Sequence, residues 1–281
     1  MSTMLCLQAT GPSVAPRAPV AGVGARLARP AGIADLVALD RLPAAAQTAT
    51  GDGASWLLPG PAWLCVVPDG GGASIRIRNR EFAPLPPVAL VGPTSHALRV
   101  AGAAGAVRFR VSPLGWARLL HRPASDFRDR VVPLAALTGP DLPAELVAAV
   151  RAGPGEAALG LVPDALLAPL MAKPHPDEPL IRAVIDLVAD PTVVRIGHMA
   201  DRLGLSDRQL RSVALRHFGM PAKVLLRRAR FLRSYGRIAD AADASGYADI
   251  EASYFDTSHF LRDAAYFLGT TPRRFRARAA G

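Results

Sequence analysis

Cysteine is nearly missing from this chain of 281 residues, which has only Cys6 and Cys65. Two such thiols exclude a disulfide scaffold and a four-thiolate zinc site, and they point to a reducing cytoplasm. No run of about 18 uncharged apolar residues occurs, so no helical membrane span is expected. Acids are outnumbered, 23 Asp and Glu against 33 Lys and Arg, leaving a net charge of +10. Wholesale disorder is excluded as well, because 50% of the residues are hydrophobic and 20% charged, enough to bury a sizeable core. The 25 Gly and 26 Pro follow no collagen-like period. A chain of this length suits two domains.

The motifs of enzymes are missing too. No Ser-His-acid set or paired-carboxylate motif stands out, and no His, Cys and acid cluster has metal-ligand spacing, so no catalytic residue, cofactor or metal is expected. Cys6 lies in the acid-poor front segment. Cys65 sits in an apolar strand before Val66, without the neighbouring base or cation that activates a thiol. Gly70-Gly71-Gly72 reads as a hairpin turn, because no strand-to-helix context with Lys-Ser/Thr follows it as a phosphate cradle needs.

Along the chain, residues 1–34 contain no acid and are broken by Pro and Gly, so they are expected to be a tail outside the fold. Residues 35–173 alternate short strands with Gly/Pro turns. Ala62–Val67 is a continuous apolar run, Ser74–Arg78 and Val107–Val111 alternate with period two, and Val88–Val91 is a further short run. This predicts a small β-rich barrel or sandwich that ends in helices, with Leu142, Leu146, Val147 and Val150 at helical spacing and a second helical stretch from Glu156 to Met171. Trp56, Trp63 and Trp116 all fall in this part and are candidates for lining a small-molecule pocket. Three prolines within residues 173–179 predict a linker over 174–179. Residues 180–281 read as nearly pure helix, which makes the whole an α+β chain of two modules.

Charge follows the same division. Residues 181–281 carry 17 Lys and Arg against 10 Asp and Glu, a net of +7, and residues 1–180 carry 16 against 13, a net of +3. An anionic partner is therefore expected at the helical end. There, Ala200–Leu203 ends at Gly204, and Ser206 with Gln209 three residues on forms a capping box. This predicts a helix-turn-helix whose second helix turns Leu210, Val213, Ala214 and His217 inward and Arg208, Arg211 and Ser212 outward. A second unit follows, with Asp256 as N-cap and Phe260, Ala264 and Phe267 as its seam. Thr257, Ser258, Leu261 and Arg262 then face outward, and His259 packs within the unit. Between the units, Lys223, Arg227, Arg228, Arg230 and Arg233 make one helix basic, and Arg273, Arg274, Arg276 and Arg278 extend the charge to the tail.

Residues 180–278 resemble the DNA-binding domain of the AraC/XylS family of bacterial transcription regulators. The likeness rests on Leu203–Arg211, the turn His217–Pro221, Asp256–Asp263 and the closing Phe267–Arg276. It departs from the family at Ser253, where a Gly usually precedes the aromatic residue. The resemblance implies two helix-turn-helix units that read successive major-groove segments, the first through Arg208, Arg211 and Ser212, the second through Thr257, Ser258, Leu261 and Arg262. Ser206, Lys223, Arg227, Arg228, Arg230, Arg273, Arg274 and Arg276 are then candidates for phosphates. Val67–Gly70, Leu90–Pro93, Val107–Arg110 and Arg130–Leu134 are similar to the sensor-like N-terminal domain of one branch of the family, which implies a regulatory module. The partners expected on this reading are double-stranded DNA, a small-molecule effector, RNA polymerase and a second copy of the chain. The alternatives are a non-specific architectural DNA binder and a DNA-repair methyl acceptor.

Overall fold

Strand β3 (Ala62–Val66) shows why this chain contains an unbroken apolar run. Ala62, Leu64 and Val66 point into one core and Trp63, Cys65 and the following Val67 into another, so both faces of the strand are dry. Its partner β6 (Val88–Val91) splits in the same way, Val88 and Leu90 to one side, Ala89 and Val91 to the other. The computed structural model describes residues 33–40, 54–68, 72–103, 105–152, 162–240, 254 and 256–280.

Two antiparallel sheets carry the N-terminal module. The first joins β1 (Val37–Asp40), β8 (Val107–Val111), β3, β6 and β9 (Val131–Pro133) in that order. The second joins β2 (Ser55–Leu57), β7 (Leu98–Ala101), β4 (Ser74–Ile77) and β5 (Arg80–Phe82). Ile75, Ile77, Leu98 and Val100 of the second sheet meet Trp63, Cys65, Ala89 and Val91 of the first in one core, so the module is a sandwich. The period-two pattern of β4 appears directly, with Ile75 and Ile77 buried and Arg76 exposed. The hairpin expected at Gly70–Gly72 is corrected, because β3 pairs with β6 and β8 while β4 pairs with β7 and β5. Both edges of β3 are already taken, so the chain crosses to the opposite sheet instead. Residues 69–71 of that crossing lie outside the described residues.

The outer face of the first sheet is covered by helices. These are α1 (Ile33–Leu36), α2 (Pro113–Leu119), α3 (Ala135–Thr138) and α4 (Asp141–Ala152), with one π-helical turn at Pro163–Leu167. Leu142, Leu146 and Val150 of α4 are buried, as their spacing predicts. The rest of the helical stretch expected over 156–171, up to residue 161, lies outside the described residues, as do residues 1–32.

The linker expected over 174–179 is instead part of the packed structure. Helix α5 (Glu178–Ala189) begins inside it and tolerates Pro179 because a first-turn N–H has no helical partner to lose. Glu178 is buried there against Arg118 of α2, whose Nη2 donates to Oε2 at 2.8 Å and whose Nη1 donates to the Met171 carbonyl at 2.9 Å. Beyond it follow α6 (Ile196–Leu203), α7 (Asp207–Phe218), α8 (Ala222–Asp240), α9 (Thr257–Leu268) and α10 (Pro272–Ala280). Ile181, Met199, Leu210, Ala214 and Leu225 join the same apolar cluster as Leu64, Leu90 and Phe109 of the sheet. One core therefore runs through both modules. Phe231, Tyr235, Phe260, Phe267 and Phe275 form a separate cluster among α8, α9 and α10, to which the sandwich adds Ala97 and Trp56. Among the described residues no helix is long and apolar enough to cross a membrane.

Candidate nucleic-acid interface

The α6–α7 corner is built by local chemistry. Gly204 takes φ 63, the left-handed region that a Cβ disfavours, and the Leu205 N–H closes the helix by donating to the Ala200 carbonyl at 3.0 Å. Ser206 then caps α7. Its hydroxyl accepts from the Gln209 N–H at 3.3 Å, and the Gln209 side chain accepts from the Ser206 N–H at 2.9 Å. Leu210, Ala214, His217 and Phe218 are buried, while Arg208, Arg211 and Ser212 are exposed on the N-terminal half of the helix.

Helix α9 is built likewise. The Asp256 carboxylate accepts from the His259 N–H at 2.6 Å, and Gly269 ends the helix at φ 70. Phe260, Ala264 and Phe267 are buried; Thr257, Ser258 and Arg262 are exposed, and Leu261 is half-buried. The His259 ring packs edge-on to Tyr254 at 5.1 Å, inside its own unit. The helix that should precede α9, including Ser253, falls within residues 241–253, outside the described residues.

The cations of α8 divide into two groups. Lys223 is exposed, as are Arg273, Arg274 and Ser206 elsewhere, and Arg276 is half-buried with its Nη1 on the Ile238 carbonyl at 3.2 Å. Arg227 donates to the Asp263 carboxylate and lies 4.6 Å over the Tyr266 ring. Arg230 is 3.5 Å from the same carboxylate and 4.5 Å over Tyr254. Asp263 is wholly buried and also accepts from the Tyr254 hydroxyl at 2.7 Å, and burial with that carboxylate pushes the Tyr254 phenol well above its ordinary range. Arg228 corrects the phosphate expectation. Its Nη1 donates to the carbonyls of Thr94 at 3.0 Å and Gly60 at 3.2 Å in the sandwich, and burial lowers its pKa to about 10. A guanidinium only partly exposed and held by two carbonyls of another module is poorly placed to meet a phosphate.

Lys223, Arg227, Arg230 and Arg233 of α8, with His259 and Arg262 of α9, surround a groove of about 430 Å³ that contains one carboxylate, Asp263. Five cations about one acid make it strongly electropositive.

The three tryptophans do not converge on one pocket, although Trp63 lines a cavity of about 220 Å³ with Leu57, Arg108 and Arg110. Trp116 is 1% exposed in the core beneath the first sheet and donates its indole N–H to the Arg122 carbonyl at 2.7 Å. Trp63 lies between the sheets under Arg108, and Trp56 packs 5.9 Å from Phe275 of α10. Each fills a different core, as large rings in small domains commonly do. Burial pushes the Cys65 thiol up to about 12, the reverse of an activated nucleophile. Cys6 lies outside the described residues.

No family model matches the chain. A search of curated proteins finds no match either.

Proposed function

We propose that this protein is a sequence-specific DNA-binding transcription regulator of the AraC/XylS type, with two helix-turn-helix units and a regulatory sandwich. The observation that carries the reading is the paired design of α7 and α9. Each is N-capped by an acceptor side chain, buries an apolar stripe, and keeps the polar side chains of its N-terminal half in solvent. A recognition helix lying in a major groove needs that distribution. The electropositive groove beside Arg262 adds a place for the phosphate backbone. The reading as a non-enzyme is favoured by the unreactive setting of Cys65.

DNA binding divides the roles. Arg208→Ala and Arg211→Ala should each lose about 1–3 kcal/mol on a selected site and relax its base preference, since a bidentate arginine–guanine contact is worth that much. Lys223→Ala, on an exposed cation, should weaken selected and random duplexes alike and reduce the salt slope by about one. A fluorescence titration of each variant at several salt concentrations decides the matter. Equal losses on selected and random DNA for the Arg208 and Arg211 variants would favour the architectural binder instead.

A further inference from the structure

Two histidines and an aspartate that are distant in sequence meet where the segment before α5 touches the last turn of α7. His175, Asp177 and His217 each offer one ligand atom, and the three atoms lie within 4.8 Å of one another. His217 Nε2 is 2.9 Å from Asp177 Oδ2, and the two imidazole rings stand edge to face at 5.3 Å. From this geometry we propose that His175, Asp177 and His217 form a binding site for one transition-metal ion of the zinc class.

The donor set selects the class of ion. Two imidazoles with one carboxylate suit zinc and its neighbours, whereas calcium and magnesium take oxygen ligands. Ligand bonds of about 2.0–2.2 Å in a tetrahedron put donor atoms roughly 3.4 Å apart, so the His217–Asp177 pair at 2.9 Å must open slightly while the wider pairs, within 4.8 Å, close by little more than an ångström at most. Side-chain rotation supplies that movement, because Asp177 and His175 are partly exposed and only His217 is fully enclosed. The open side leaves the fourth position to water. On binding, the His217 ring proton moves to Nδ1, and the hydrogen bond between Nε2 and Asp177 is exchanged for two bonds to the shared ion. A supporting bond is already present, since the His175 N–H donates to Glu178 Oε1 at 2.8 Å and so anchors that backbone to the buried Arg118–Glu178 pair.

A hydrogen bond from His217 to Asp177 would satisfy the buried imidazole by itself. It does not involve His175, whose Nδ1 accepts from the Asp177 N–H at 3.1 Å and would exchange that local bond for the ion if it ligated through this atom. The ion would fasten α7 at the end opposite Arg208 and Arg211, to the chain that leaves the sandwich. The site stands apart from the DNA reading, because its readout is metal alone.

Cobalt titration of the untagged full chain tests it. One equivalent of Co²⁺ should develop the visible absorption of a four-coordinate ion, and Zn²⁺ should displace it. His175→Ala and Asp177→Asn should each weaken binding at least about tenfold, the lower range seen when support around a metal is removed. Both side chains are partly exposed, so the variants should keep the far-ultraviolet circular dichroism of the parent. His198→Ala, an exposed histidine elsewhere on the surface, should leave binding unchanged. The proposal is overturned if the parent binds neither ion more tightly than about 0.1 mM, or if binding survives both variants within that tenfold margin.

Discussion

Asp263 is the residue on which the C-terminal helices depend most. It is wholly buried, yet its two oxygens take the Tyr254 hydroxyl and the guanidiniums of Arg227 and Arg230. An ionised carboxylate out of water persists only when paired and hydrogen-bonded in this way. Removing it would take the shared acceptor from the Tyr254 hydroxyl and from two partly exposed guanidiniums at the groove. Asp263→Ala should therefore cost about 3–5 kcal/mol in denaturant unfolding, and a loss below about 1 kcal/mol would mean that the arginines find water instead. The signal was present in the sequence, since Asp263 sits on the same helical stripe as Phe260, Ala264 and Phe267. An acid within an apolar seam calls for a buried cation, and the neighbouring basic helix offers several. Which ones answer depends on how α8 lies across α9, and that is not a local property.

At the scale of elements, helix ends were the most legible features. Gly204, Ser206, Gln209, Asp256 and Gly269 all act within a few residues of themselves, so spacing predicts their roles and the hydrogen bonds follow. Ser206→Ala should destabilise by about 1 kcal/mol, and Ser206→Gly by only a few tenths, because glycine leaves the cap open to water. Thermal unfolding of the two variants checks the order, and equal losses would mean that the capping box contributes nothing. Strands were read unevenly. β3, β4, β6 and β8 announce themselves by apolar runs or alternation, whereas β2 and β5 span only three residues each and carry no periodic signal. Their pairing is set by the partner strand and not by their own composition.

On the scale of the whole molecule, the buried segment Gly92–Ala97 joins the sandwich to the helices. The Ala97 N–H donates to the Phe267 carbonyl at 2.7 Å, the His96 ring meets Tyr266 at 4.9 Å, and Thr94 accepts from Arg228. Gly219, at φ +76, brings its α-carbon so close that an added Cβ would lie 3.0 Å from the Ala124 carbonyl oxygen and from Pro93. Asp129 holds this segment through the Ser95 N–H at 2.7 Å and the Ser95 hydroxyl, with His96 Nδ1 3.6 Å away. Burial alone would raise the Asp129 pKa, but the nearby His96 ring and the two bonds from Ser95 outweigh it and hold the carboxyl below its ordinary range. A depressed folded pKa stabilises fully above the unfolded value, near 3.9, and that stability is lost as pH falls through the folded value. Tryptophan fluorescence, which senses Trp56 against Phe275, should accordingly change on acidification below about pH 4. Asp129→Asn should lose that acid step and be less stable at pH 7 by about 2 kcal/mol. Identical acid profiles for the two proteins would remove Asp129 from the docking.

By itself the sequence determined the character of both modules, the caps and stripes of the helices, and the outward side chains of α7 and α9. These depend on backbone periodicity and on contacts a few residues long. Only the tertiary structure decided which cations remain free. It turned Arg228 into an internal donor, dispersed the three tryptophans among three cores, drew the expected linker into the fold, and brought His175 and Asp177 to His217. The contacts of Arg228, of Glu178 with Arg118 and of His217 with Asp177 join residues 40 or more apart in the chain, and such pairs meet only when whole helices and sheets pack.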